Sequence, residues 1–407
     1  MKRQPNNRLG GNPLPLPAAL PLPTPLEVPE MTVLDHRPTA SVPGWLPGAT
    51  GPRTDPAPLL PDPSPVRLLG TPELEKADPA LLLDLYRRLV VGRRYNQQAT
   101  TLTKQGRLAV YPASTGQEAC QVAVGSVLQP PDWLFPSYRD TLAVVSRGVD
   151  PLEALTLLRG NAHTGYDPVA TRTAPLCTPL ATQAPHAVGL AHAARLRGEP
   201  VVALAMLGDG GTSEGDFHEA LNFAAVLNAP VVFLVQNNGY AISVPLTQQS
   251  AAPSLAHKAV GYGMRGRLVD GNDAPAVHAV LSEAVERARH GGGPTLVEAL
   301  TYRLEAHTNA DDATRYREDG EVSAWREHDP ILLLERQLRS SGLLDDAVAA
   351  AAVEQGEELA ARMRAEFHAE PELDPSSLFR HVYAEPTQQL QEQAAQLAAE
   401  LAAEAGR

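Results

Sequence analysis

The chain is poor in the residues that staple a protein together or commit it to a charged partner. Only two cysteines, Cys120 and Cys177, occur in 407 residues, too few for a disulfide framework and without the spacing of a zinc site. Both read as apolar fillers in a reducing compartment, and the chain is expected to be cytoplasmic. No run of eighteen apolar residues is present and the amino terminus has no continuous apolar core, so neither a membrane span nor an export signal is predicted. Lysine and arginine are outnumbered by acids, 34 to 47, giving a net charge of −13 without a basic cluster. Nucleic acid and anionic membranes are therefore excluded as expected partners.

Proline, by contrast, is abundant at one end. Residues 1–65 hold 17 of the 38 prolines, in alternations such as Pro13-Leu14-Pro15-Leu16-Pro17, and proline denies helices and central strands their amide donors. This predicts a disordered or polyproline arm over 1–65, order from near Glu73, one domain over 66–370 and a helical extension over 371–407.

The most informative stretch is Val201–Ser243. Seven apolar residues, Val201 to Leu207, have the length and composition of a strand buried on both faces. Gly208-Asp209-Gly210-Gly211 breaks the run, and Phe217, Ala220, Leu221, Ala224 and Ala225 then recur at helical spacing to about Leu227. A second apolar run, Pro230 to Val235, ends in Gln236-Asn237-Asn238-Gly239. The unit reads strand, crossover helix, strand, with both strands finishing on one edge of a parallel sheet. Asp209 and Asn238 then arrive side by side. Parallel strands lie about 4.8 Å apart and Mg²⁺ takes oxygens at about 2.1 Å, so the carboxylate and the amide carbonyl can share one ion. The amides of Gly210 and Gly211 stay open to phosphate. A diphosphate carried on magnesium is the ligand this predicts. GDGG alone is only a turn, and a dinucleotide fingerprint would need G-x-G-x-x-G, which is absent here.

Elsewhere helices are expected over Ala80–Gln98, up to Val127, Thr141–Arg147, Leu152–Arg159, Ala184–Arg195 and Ala274–Arg289. Others are expected around Pro330–Ser340, Ala347–Glu370 and Gln388–Ala405, with strands over Gly266–Asp270 and Pro294–Leu304. The fold class is α/β, a parallel sheet flanked by helices. Glu305–Glu318 is polar and without apolar periodicity, which predicts a mobile surface loop carrying His307 at its root, the only side chain there that titrates near neutral pH.

From about Glu73 to Glu385 the chain resembles the alpha subunit of the decarboxylating component of 2-oxo acid dehydrogenase complexes. The motifs that carry the resemblance, in order, are GRLAVYPASTGQEA, FPSYRD, TPLATQ, GDGGTSEGDFHEALNFAA, QNNGYAIS, VDGND and AHTNADDATRYR. It implies a thiamine diphosphate-binding fold, with Asp209, Asn238 and the carbonyl of Tyr240 as magnesium ligands. Tyr138 and Arg139 match diphosphate contacts, Gly210 and Gly211 lend amides, and Thr178 and Leu180 meet the aminopyrimidine and prop the bent coenzyme. His307 resembles the active-site histidine, an acid or base for substrate or lipoyl group. Cys177, Pro179, Thr182 and Gln183 align with a monovalent-cation site of branched-chain relatives, with Cys177 in place of an oxygen donor. Thr308 stands where eukaryotic relatives carry a regulatory serine.

The resemblance also implies a beta subunit in an α₂β₂ heterotetramer, which brings the glutamate that activates the coenzyme, and a lipoyl-bearing acyltransferase as acyl acceptor. Val110 replaces an aromatic residue of relatives at the pocket, and the short segment Gly160–Cys177, with His163 as a substrate contact, is similar to Gram-positive pyruvate enzymes. TPLATQ and NNGYAIS lean toward branched-chain enzymes, and the balance favours pyruvate slightly over branched-chain 2-oxo acids such as 2-oxoisovalerate. An acetoin dehydrogenase alpha subunit and a catalytically inactive scaffold paralogue are the alternatives.

Overall fold

Four strands of six or seven residues set the frame. Ala203–Gly208 (β2), Val231–Asn237 (β3), Arg265–Asp270 (β6) and Thr295–Leu300 (β7) join the short Trp133–Phe135 (β1) in a five-stranded sheet. Its order is β1-β2-β3-β7-β6 and every pairing is parallel. A separate two-stranded hairpin, Tyr240–Ala241 (β4) with Val244–Pro245 (β5), follows β3. The computed structural model describes residues 55–161, 163–367, 375–380 and 382–406. Most of the expected proline-rich arm and the end of the helix expected to Glu370 lie outside them. Among the described residues no helix is long and apolar enough to cross a membrane.

Both faces of the sheet are buried, as unbroken apolar strands require. Ala205, Leu207, Phe233 and Val235 point to one side, against Ala187 and Ala191 of the helix Gln183–Leu196 and Phe217 and Leu221 of the helix Gly215–Val226. Their sequence neighbours Leu204, Met206, Val232 and Leu234 point to the other, against Val277, Val280 and Leu281 of the helix Ala274–Arg289. Period-two alternation thus builds two cores from one sheet. The long helix Pro79–Lys104, with Asp78 as N-cap, packs beside Asp346–Glu366 and supplies Leu85 and Leu89 to a further core.

Several expectations shift. Leu152–Arg159 forms two 3-10 turns, Glu153–Leu155 and Leu157–Arg159, closed by Gly160 in the left-handed region. Their backbone bonds run from i+3 to i, Thr156 N to Glu153 O at 3.0 Å and Gly160 N to Leu157 O at 3.1 Å, the tighter pitch of a 3-10 turn. The crossover helix starts only at Gly215, because Gly210–Ser213 after the strand is a 3-10 turn. Order also starts earlier than Glu73: Asp62 accepts from Arg267 Nε at 2.9 Å and Leu268 N at 3.2 Å, and Val66 bridges to Val269 beside β6.

Candidate active site

Four segments leave the carboxyl edge of the sheet and meet at one cavity of about 210 Å³. They follow β1 (Ser137 to Arg139), β2 (Asp209 to Gly211), β3 (Asn238 to Ile242) and β7 (Arg303, His307). Parallel register sets Gly208 opposite Gln236, and Asp209 and Asn238, one and two residues further on, meet at the strand ends, as the spacing predicts. The Asn238 amide N–H donates to Asp209 Oδ1 at 3.4 Å. Two residues on the cavity wall, Ala181 and Ile242, hold positive φ without being glycine, at 64° and 55°. Such strain concentrates where a site dictates backbone shape.

The electrostatics are unusual for a protein interior. Asp209 is buried, and its other oxygen accepts from Gln249 Nε2 at 2.9 Å, so both of its protein partners are neutral. Burial pushes its carboxyl above the usual range, against the hydrogen bond from Gln249. Arg139, also buried, donates to Ala113 O, His307 O and His307 Nδ1, each at 3.0 Å. Arg303 is 1% exposed and donates to the Tyr240 and Ile242 carbonyls and the Tyr316 hydroxyl, while its Nε has no partner. Burial and the nearby Arg139 hold the Arg303 guanidinium below its ordinary value. Among the described residues neither guanidinium has a carboxylate in contact. An isolated buried charge costs several kcal/mol, so one buried anion and two buried cations demand compensation from a ligand.

Of the candidate residues, Tyr138, Arg139, Leu180, Asp209, Gly210 and Gly211 line this cavity, with Asn238, Tyr240 and His307. Thr178, Val110 and His163 are not among its lining residues and are exposed to solvent. His307 packs edge-on to Tyr138, ring centroids 5.9 Å apart, and burial with the charges of Arg139 and Arg303 pulls its pKa down to about 4. The loop expected to be mobile is tied at its root. Asp311 accepts from His307 N and the Tyr316 hydroxyl, Tyr111 N donates to Asn309 Oδ1, and Arg317 donates to the carbonyls of Arg303 and Leu304. The four residues aligned with a cation site are otherwise engaged. Cys177 Sγ donates to Pro179 O at 3.1 Å, Thr182 Oγ1 to Asp216, and Gln183 Nε2 to Met206 O, while Gln183 Oε1 has no partner.

Sequence reasoning missed a supporting network. Asp140, fully buried, accepts from Ser137 N and Oγ at 2.8 and 2.7 Å and from Nε2 of Gln121 and Gln236 at 3.1 and 2.7 Å. It fixes the loop that presents Tyr138 and Arg139. The three-residue spacing from Ser137 is a local turn signal, whereas Gln121 and Gln236 meet it only through the fold. Arg303 was likewise invisible, an arginine at the end of a strand.

A family model described as Dehydrogenase E1 component matches residues 86–376. The chain is 46% identical over 344 residues to the 3-methyl-2-oxobutanoate dehydrogenase subunit alpha of Mycobacterium tuberculosis (strain ATCC 25618 / H37Rv), covering 83% of this chain and 94% of the relative. It is 41% identical over 266 residues to the pyruvate dehydrogenase E1 component subunit alpha of Staphylococcus aureus (strain MW2), covering 65% and 72%. With its parallel sheet and the cavity at that sheet's carboxyl edge, the chain belongs to the dehydrogenase E1 component family, as an alpha-type subunit of a 2-oxo acid dehydrogenase.

Proposed function

We propose that this chain supplies the magnesium and diphosphate half of a thiamine diphosphate site. It does so in an α₂β₂ heterotetramer that oxidatively decarboxylates a 2-oxo acid and passes the acyl group to a lipoyl-bearing acyltransferase. The observation that carries the reading is the charge pattern of the cavity. A divalent cation on a diphosphate compensates Asp209 on one side and Arg139 and Arg303 on the other.

The donors suit the ion. A carboxylate, the Asn238 amide oxygen and the Tyr240 carbonyl are hard oxygens, and Mg²⁺ is commonly held by few protein ligands with water and phosphate oxygens completing its shell. Gly210 and Gly211 open the 3-10 turn after β2, where the first amides lack partners within the turn. At Gly210 a Cβ would come within 2.7 Å of the Ala241 Cβ, so only glycine lets the backbone pass this close to the hairpin. Arg139 offers a planar fork to phosphate oxygens. Leu180, 44% exposed on the cavity wall, is the apolar prop for the bent coenzyme, and Thr178, two residues before it, is exposed outside the cavity. The coenzyme, when bound, supplies a carbanion and an electron sink. His307 then holds or moves a proton at its imidazole once an anion draws Arg139 away from Nδ1.

The more similar of the two relatives is named for 3-methyl-2-oxobutanoate, and His163, in the segment that weighed toward pyruvate, stands outside the cavity. A branched-chain 2-oxo acid is therefore proposed first and pyruvate second. The test is dye reduction by the chain co-expressed with a beta-type subunit. Expected are turnover with kcat/KM at least tenfold higher on 3-methyl-2-oxobutanoate than on pyruvate, and no turnover by the chain alone. The reverse ratio assigns pyruvate. Bound coenzyme without turnover on any 2-oxo acid or on acetoin would leave the scaffold reading standing.

A further inference from the structure

We propose that Gln117 is a positioning residue for the cation site and a donor to the ligand held there. Its Oε1 sets the orientation of the Asn238 amide, and its Nε2 donates to a ligand oxygen. The inference rests on the function proposed above.

Asn238 has two amide bonds that fix which way round it sits. Its Oδ1 accepts from Tyr240 N at 3.2 Å, and its Nδ2 donates to Gln117 Oε1 at 3.3 Å. Turned over, it would press Nδ2 against the Tyr240 N–H and leave its oxygen facing Gln117. A hard cation binds the oxygen of an amide and never its NH₂, so the bond to Gln117, together with that from Tyr240 N, holds Asn238 the way round that lets it be a ligand. Gln117 is itself one-directional. With Oε1 committed to Asn238, its Nε2 has no acceptor among the described residues, although the side chain is 1% exposed and lines the cavity. Nε2 is open to the cavity, where a ligand oxygen can accept from it.

The chain invests in holding this glutamine still. Gln117 N donates to Ser114 O at 2.8 Å, and the neighbouring Glu118, fully buried, accepts from Gly116 N at 2.7 Å and pairs with Arg93. Gly116 sits at φ +93°, where a Cβ would come within 2.1 Å of the Tyr302 carbonyl oxygen at the end of β7. The turn is thereby clamped between the long first helix and the sheet, with the glutamine projecting from it. Outer partners that orient a metal ligand commonly change metal affinity by about 10–100-fold when removed.

The experiment compares the parent, Gln117→Met and Gln117→Glu, each assembled with the beta subunit. It follows thiamine diphosphate uptake by tryptophan fluorescence against Mg²⁺ concentration, then coenzyme affinity at saturating Mg²⁺. Methionine keeps the volume and removes both functions. Glutamate keeps an acceptor for Asn238 Nδ2 and removes the donor. Expected are a Mg²⁺ midpoint at least about tenfold higher in Gln117→Met, a midpoint within about threefold of the parent in Gln117→Glu, and weaker coenzyme binding at saturating Mg²⁺ in both. A parent-like midpoint in Gln117→Met, or an equal shift in the two variants, overturns the orienting role, and parent-like coenzyme affinity in Gln117→Glu overturns the donor role. If the parent itself takes up the coenzyme without regard to Mg²⁺, the site reading has failed, and not only this inference.

Discussion

Arg139 and His307 share one set of hydrogen bonds, and that sharing has a measurable pH signature. With burial and two arginines holding it at about 4, the imidazole is neutral in the folded chain across the range where a free histidine, near 6.5, gains its proton. The unfolded chain binds that proton and the folded chain does not, so stability rises with pH over this window. The contribution is complete above about pH 6.5 and is lost as pH falls toward 4. His307→Gln should flatten the fall in melting temperature between pH 6.5 and 4 relative to the parent, and equal slopes would show that His307 titrates normally. Much of the site was readable at this scale because its residues sit in compact motifs: FPSYRD, GDGG and QNNGYAIS. Arg303, Gln117 and Gln249 were not, since each reaches the cavity through contacts that sequence spacing does not encode.

At the scale of elements, the strand, crossover and strand around Asp209 were legible because a doubly buried strand needs an unbroken apolar run and a helix needs its own period. β1 was not, being three residues after a proline pair, with too little pattern to separate it from loop. The turn at Gly116 shows how loops tighten the site. Its backbone lies where side-chain residues are strained by about 1–3 kcal/mol, and a Cβ would also strike the Tyr302 carbonyl. Gly116→Ala should lower stability by at least that amount in denaturant melts and weaken coenzyme uptake together with it. Parent-like stability would mean that the turn relaxes freely and does not mount Gln117. Gly106, also at positive φ but with nothing near its Cβ position, is the control that separates strain from clash.

For the whole molecule, the cavity opens among exposed apolar side chains, Leu180 at 44% and Ile242 at 57%, with Val244 beside them on the hairpin. Such a rim suits the proposed partner chain that closes the other half of the site. The domain arrangement stays a proposal: a proline-rich arm over 1–65 and a helical extension whose last helix, Gln388–Ala405, exposes nearly all its residues. Everything rests on Asp209 being a carboxylate that awaits a metal. Calorimetry of thiamine diphosphate binding to the assembled alpha and beta subunits, with Mg²⁺ and then with chelator, tests this most directly in the parent and in Asp209→Ala. Tight, Mg²⁺-dependent binding by the parent and none measurable in the variant is the predicted result, and binding by Asp209→Ala as tight as the parent's would contradict the account.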